Sequence, residues 1–136
     1  MPETGTQTES HPLVRLETLT LVAIGGFAGA NLRYFVGLLV PGLGGTLVAN
    51  VAGSFLLGFV LYEAIYTGFL AVETRAVLST GFLSSFTTYS TFALQTSGAG
   101  PALMIGNVLA NYALGFGGVL VGRALARRLD GGERPW

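Results

Sequence analysis

The chain has 136 residues, of which 51% are apolar and only 10% charged, with zero formal net charge and no cysteine. A soluble domain of this size carries about 25% charged residues, so the composition excludes an ordinary water-soluble fold and leaves room for one domain. Without cysteine there are no disulfides, thiol catalysis or thiolate metal sites. A neutral chain with no basic cluster in its body also excludes a nucleic-acid partner.

The charges are placed as unevenly as they are few. Between Thr18 and Gly122 the only formal charges are Arg33, Glu63, Glu73 and Arg75. Residues 1–14 form a polar tail that lacks a basic stretch before an apolar run, so it reads as disordered rather than as a cleavable signal. A bilayer-crossing helix needs about 20 mostly apolar residues. Residues 15–128 divide at their turn signals into four pieces of that size. The first expected span covers about 16–40 and stops at Pro41 and the glycines after it. The second covers about 46–66, the third about 75–97 up to the SGAGP segment, and the fourth about 102–126. Residues 129–136 form a second tail. An even number of spans puts both termini on one side, together with Arg15, Arg75, Arg123, Arg127 and Arg128. The positive-inside rule makes that side the cytoplasm, and the expected location is the cell membrane.

Small residues crowd the spans. Gly25, Gly29, Arg33 and Gly37 recur every four residues, and Gly118 and Gly122 repeat the spacing, as close helix packing in lipid requires.

The third span is the anomaly, because residues 84–91, SSFTTYST, hold six hydroxyl side chains in eight. Scattered hydroxyls bond back to the preceding turn and are structural. A run this dense competes with the helix ladder and favours a break. Unwound backbone at membrane depth presents carbonyls to cations and amides to anions. Tyr89 and Phe92, three apart, share a helix face, either as core aromatics or as ring edges turned to an anion. Asn50 in the second span either bonds a neighbouring helix or donates its amide to an anion. Asn107 and Asn111, four apart, extend a polar track. Arg33 is the one charge deep in the first span, and either attracts an anion or clamps carbonyls. No carboxylate falls mid-span, and the only His, His11, lies at the start of the chain, so neither proton-coupled cation export nor enzyme chemistry has its residues here.

In order and spacing, GGFAGANLRY, GTLVANVAGSFLLG and GFLSSFTTYSTF resemble the CrcB/Fluc family of fluoride channels, over nearly the whole chain between the tails. The resemblance implies an all-α membrane protein with four helices per subunit and a broken third helix. It implies antiparallel, dual-topology dimers in the bilayer, two narrow pores and passive export of fluoride. It also implies a structural sodium ion, not transported, held at the dimer centre by backbone carbonyls. The implied pore residues are Asn50, Tyr89, Phe92, Thr88, Thr91, Asn111 and Arg33, and the implied sodium carbonyls are those of Ser84 and Thr87. Two positions depart from the pattern: Tyr89 stands where Phe is usual, and Ser84-Ser85 where the family has two glycines, which allow backbone angles that serine resists. The one-sided arginines point to a biased orientation, with a homologous subunit rather than an identical copy as the alternative partner. A dual-topology exporter of cationic compounds and a non-conducting partner subunit are the competing readings.

Overall fold

The computed structural model describes residues 11–130 and is all-helical there. Three helices are long and apolar enough to cross a membrane: α1, Pro12–Leu39; α2, Leu43–Tyr66; and α6, Pro101–Leu129. Between α2 and α6 the chain is a series of short pieces. These are α3, Val72–Ala76; a π-helical segment, Val77–Leu83; α4, Ser84–Phe86; and α5, Tyr89–Ser97. The expected third span is therefore present as a broken helix, and the expected tails lie mostly outside the described residues.

The helix limits follow local chemistry. α1 begins at Pro12, where a missing N–H costs nothing, and the His11 side chain accepts from Leu13 N–H, so the helix reaches back into the expected tail. It ends before Pro41, and Gly42 (φ 75°) turns the chain into α2. Pro101 likewise starts α6, which runs on to Leu129, past the expected limit of 126, with Arg127 and Arg128 in its last turn where the helix dipole favours cations.

Packing is pairwise and parallel. α2 lies along α6, with Asn50 beside Asn111 and Tyr66 beside Arg123. α1 lies along the π-helical segment and α4. In both pairs the contact is made by glycine against backbone. A Cβ on Gly122 would collide with the Phe55 carbonyl, and one on Gly29 with the Phe82 carbonyl. Gly81 faces the Val22 carbonyl in the same manner. The expected role of Gly25, Gly29, Gly118 and Gly122 is thus observed, while Gly37 meets nothing within 4 Å. Few bulky side chains are buried; Val60, Leu83, Phe86 and Phe92 are the largest, and apolar residues of every long helix face outward. That is the pattern of a chain whose surroundings are themselves apolar.

The turn from α2 to α3 is held by a carboxylate. Glu63, near the end of α2, is 2% exposed. Its Oε1 accepts from Leu70 N–H (2.9 Å) and Thr67 Oγ1 (3.0 Å). Arg75 donates through Nε and Nη2 to the Leu70 carbonyl and stands 4.0 Å from Glu63 Oε2. The Leu70 peptide is gripped on both sides, which fixes where the broken span starts.

Gly122→Ala should cost about 1–3 kcal/mol by overpacking, whereas Gly106→Ala, which meets open space, should be neutral or slightly stabilising. Unfolding of the two variants in mixed micelles measures the contrast.

Candidate functional site

The break is narrower than the hydroxyl run that announces it. Two of those hydroxyls bond back one turn, Ser84 Oγ to the Thr80 carbonyl and Thr87 Oγ1 to the Leu83 carbonyl, as Ser79 Oγ ahead of the run does to the Arg75 carbonyl. They therefore sustain helix as far as Phe86. Only Thr87 (φ −79°, ψ 160°) and Thr88 (φ −151°, ψ 120°) are extended. The helix restarts at Tyr89 because Thr88 caps it, its Oγ1 accepting from Thr91 N–H at 3.2 Å.

Asn50 stabilises the extended pair from across the bundle. Its Oδ1 accepts from Thr88 N–H at 2.8 Å and its Nδ2 donates to the Thr88 carbonyl at 3.1 Å. One side-chain amide thus satisfies both backbone groups of the residue that the ladder abandons, the N–H of one peptide unit and the carbonyl of the next. The cost of leaving such groups unpaired in lipid explains why an amide, which offers donor and acceptor together, stands at this position.

The consequences for neighbouring carbonyls follow from helix arithmetic. The i+4 donor for the Ser84 carbonyl is Thr88 N–H, which goes to Asn50, and the donor for the Thr87 carbonyl is Thr91 N–H, which goes to Thr88 Oγ1. The carbonyls of Ser85 and Phe86, whose i+4 partners Tyr89 and Ser90 lie across the same extended pair, lose their helical donors as well.

From Asn50 a chain of amides and hydroxyls continues. Asn50 Nδ2 also reaches Asn111 Oδ1 at 3.3 Å, and Asn111 Nδ2 donates to Asn107 Oδ1 and to the Asn107 carbonyl, both at 2.9 Å. Asn107 Nδ2 donates to Thr96 Oγ1 at 2.7 Å, and Thr96 Oγ1 to the Phe92 carbonyl at 2.6 Å. The aromatic pair flanks this ladder. The Tyr89 and Phe92 ring centroids are 5.8 Å apart, and Phe92 meets Tyr112 edge to face at 6.5 Å. Phe92 is 7% exposed and Tyr89 73%, so the two rings present different faces to their surroundings. A cleft of about 270 Å³ is lined by Asn50, Ser54, Tyr89, Phe92, Asn111 and Tyr112, with Phe116 below. It contains amides, hydroxyls and ring edges, and no charged group.

Arg33 stands apart from the cleft. It lines a separate pocket of about 330 Å³ with Thr46, Thr88, Thr91 and Gln95. Among the described residues it makes no hydrogen bond or ion pair. Thr88 belongs to this pocket's lining and to the Asn50 pairing, so the two cavities meet at the break. Thr91 Oγ1 accepts from Thr88 Oγ1 at 3.1 Å, which ties it to the same junction. Sequence reading passed over Thr46, Gln95 and Thr96. Gln95 accepts from Thr46 Oγ1 at 2.7 Å, and the signal for it was an amide in an apolar span, three residues after Phe92. Among the described residues no group of three or more His, Cys, Asp or Glu is arranged for a metal.

A family model described as "CrcB-like protein, Camphor Resistance (CrcB)" matches residues 20–123. The chain belongs to this family. A protein of Haloarcula marismortui named "Fluoride-specific ion channel FluC 1" is 59% identical over 124 residues, 91% of this chain and 97% of that one. A second from Halobacterium salinarum, "Fluoride-specific ion channel FluC 2", is 54% identical over 84% of this chain and 90% of its own length. One from Methanosarcina mazei, also named "Fluoride-specific ion channel FluC 2", is 38% identical over 90% of this chain and 97% of its own length. The resemblance seen in the motifs therefore extends across almost the full length of the relatives.

Asn50→Leu should strip both partners from the Thr88 peptide and destabilise the broken helix by about 1–3 kcal/mol. Hydrogen exchange is expected to quicken at the Thr88 amide while the centre of α6 keeps its protection.

Proposed function

We propose that this chain is a subunit of a fluoride-selective channel that lets fluoride leave the cell passively and so lowers its cytoplasmic concentration. The observation that carries the reading is the uncharged ladder running from Thr88 through Asn50, Asn111 and Asn107, flanked by Phe92 and Tyr89. A small anion sheds tightly held water only where fixed donors replace it. The Thr91 hydroxyl and the positive ring edges are such donors, and the Asn50 and Asn111 amides and the Thr88 hydroxyl join them by exchanging a ladder partner for the ion. A carboxylate in the path would repel the anion, and the one buried carboxylate among the described residues, Glu63, is engaged with the α2–α3 turn. Arg33, which has no ion-pair partner among the described residues, raises the local anion concentration at the pocket that meets the break. The names of the relatives support fluoride as the ion.

Four crossings of the cell membrane, with both termini in the cytoplasm, are the topology that goes with this reading. The outward apolar faces support an antiparallel pair in the bilayer. The arginines are one-sided, which favours a homologous subunit of opposite orientation over an identical copy. Reconstituted in liposomes, the chain alone or with such a homologue should release fluoride but not chloride, without a proton gradient. Fluoride release that requires a proton gradient, or an equal chloride flux, would overturn the channel reading. Restoration of flux only by the homologue would mark this chain as half of a mixed pair. Within a conducting channel, Asn50→Ala and Phe92→Ala should each lower flux about tenfold or more, the equivalent of one lost donor interaction.

The undonated carbonyls of Ser84 and Thr87 fit a hard monovalent cation, and two such pairs from facing subunits make an oxygen cage for a structural sodium ion. Sodium there would neutralise four carbonyl dipoles and lock the two breaks together. Exchange of sodium for N-methylglucamine on both sides of the membrane should abolish fluoride flux or dissociate the pair. Unchanged flux after long depletion would remove sodium from the account.

A further inference from the structure

The arginine-rich end of the bundle carries a feature that the ion path does not use. Arg123 of α6 is exposed, yet it is not loose. Its guanidinium carbon lies 5.0 Å from the centroid of the Tyr62 ring, and its Nε donates to Tyr66 Oη at 3.4 Å. Tyr62 and Tyr66 stack on each other with centroids 5.9 Å apart. Both tyrosines come from α2, so the parallel seam of α2 and α6 builds a brace for one cation. The two terminal nitrogens of Arg123 make no hydrogen bond or ion pair among the described residues. A guanidinium held on one edge and one face, with its fork free, is arranged to receive two oxygens of a phosphate.

Depth identifies the kind of phosphate. At 1.5 Å per residue, Arg123 lies about 33 Å along α6 from Pro101, and Tyr62 and Tyr66 lie about 29 and 35 Å along α2 from Leu43. With both helix starts at one face of a hydrocarbon core about 30 Å thick, all three side chains reach the opposite headgroup layer. Along α6, Phe116, Leu120, Arg123 and Arg127 follow helical spacing on one face. Phe116 is 69% and Leu120 60% exposed. That face is apolar within the bilayer and cationic at its margin, the order in which a lipid presents its chains and its headgroup. A free phosphate would use the arginine and leave the apolar stripe idle. Arg127 and Arg128, a turn further on, add charge of the same sign. Of the nearby acids, Glu63 is committed to Leu70 and Thr67, and Asp130 lies beyond the helix end.

We propose that Arg123, braced by Tyr62 and Tyr66, anchors a binding site for the phosphate headgroup of an anionic lipid. The headgroup site at Arg123 is separate from the break and from the cleft, which the acyl-chain face meets only at Phe116, and it does not depend on which ion the chain conducts. Tyr66→Phe removes the acceptor that holds Nε, so it tests the brace without removing the charge.

Native mass spectrometry of the full chain in detergent, titrated with phosphatidylglycerol or phosphatidylcholine, reads the site directly. One phosphatidylglycerol per chain should be held in preference to phosphatidylcholine. Arg123→Ala should weaken that preference about fivefold, the loss of one interfacial cation, and Tyr66→Phe should weaken it in part. Arg123→Lys covers the event that the alanine variant does not fold, and should fall between wild type and the alanine variant. Equal retention of the two lipids, or unchanged retention in the Arg123 variants, would overturn the proposal. Displacement of the lipid by inorganic phosphate at matched concentration would overturn it too, and would leave a free-anion site in its place.

Discussion

A membrane-buried helix that stops and restarts must find partners for the peptide it leaves behind, and here one side chain supplies them. Asn50 pairs with both the N–H and the carbonyl of Thr88. Everything distinctive in the bundle depends on that pairing. It holds the break open, diverts the amide that would close the ladder on Ser84, and begins the series of amides that crosses to α6. No hydroxyl and no ionised carboxylate can replace it, since the former is too short to span both groups and the latter cannot donate. The same amide also reaches Asn111, so the strength of the break and the polarity of the cleft are set by a single residue. In a low-dielectric surrounding such a linked set is worth more than its separate bonds, and a defect in it is correspondingly costly.

The two parallel helix pairs deliver the parts to this point. α2 brings Asn50, α6 brings Asn111 and Asn107, and α1 supports the π-helical segment that leads into the break. Each pair is joined through glycine against carbonyl, which lets backbones approach to distances that a bundle packed on leucine does not reach. At the start of the broken span the Glu63–Arg75 grip on Leu70 fixes where α3 begins. The break therefore has a defined height in the bundle as well as a defined partner.

Much of this was legible in the sequence, because a bilayer imposes a length rule and glycine and proline punctuate it. The limits of α1, α2 and α6 fall within a few residues of the apolar runs. The break was visible as hydroxyl density, Asn50, Tyr89 and Phe92 as polar or aromatic residues in a family motif, and Asn111 as one of two amides four residues apart in the fourth span. What could not be read is how little of the hydroxyl run unwinds. That outcome depends on Ser79, Ser84 and Thr87 bonding back along the helix, and on Asn50, 38 residues away, capturing only Thr88. The π-helical segment was illegible for a related reason, since it lies where α1 presses its glycines against Val77 and Phe82. Glu63 looked like a charge at a helix end. Only the return of the chain at Leu70 makes it a buried anchor, and that return has no periodic signature.

The glycine contacts have a consequence for how such a sequence can vary. In a water-soluble domain the large apolar side chains are the constrained ones, and small residues on the surface drift freely. Here most leucines, valines and isoleucines meet only an apolar surrounding that accepts any of them, while Gly29, Gly81 and Gly122 have no room for one more carbon atom. The usual order of mutational tolerance is turned upside down. The record of what this fold cannot change is written in its smallest residues.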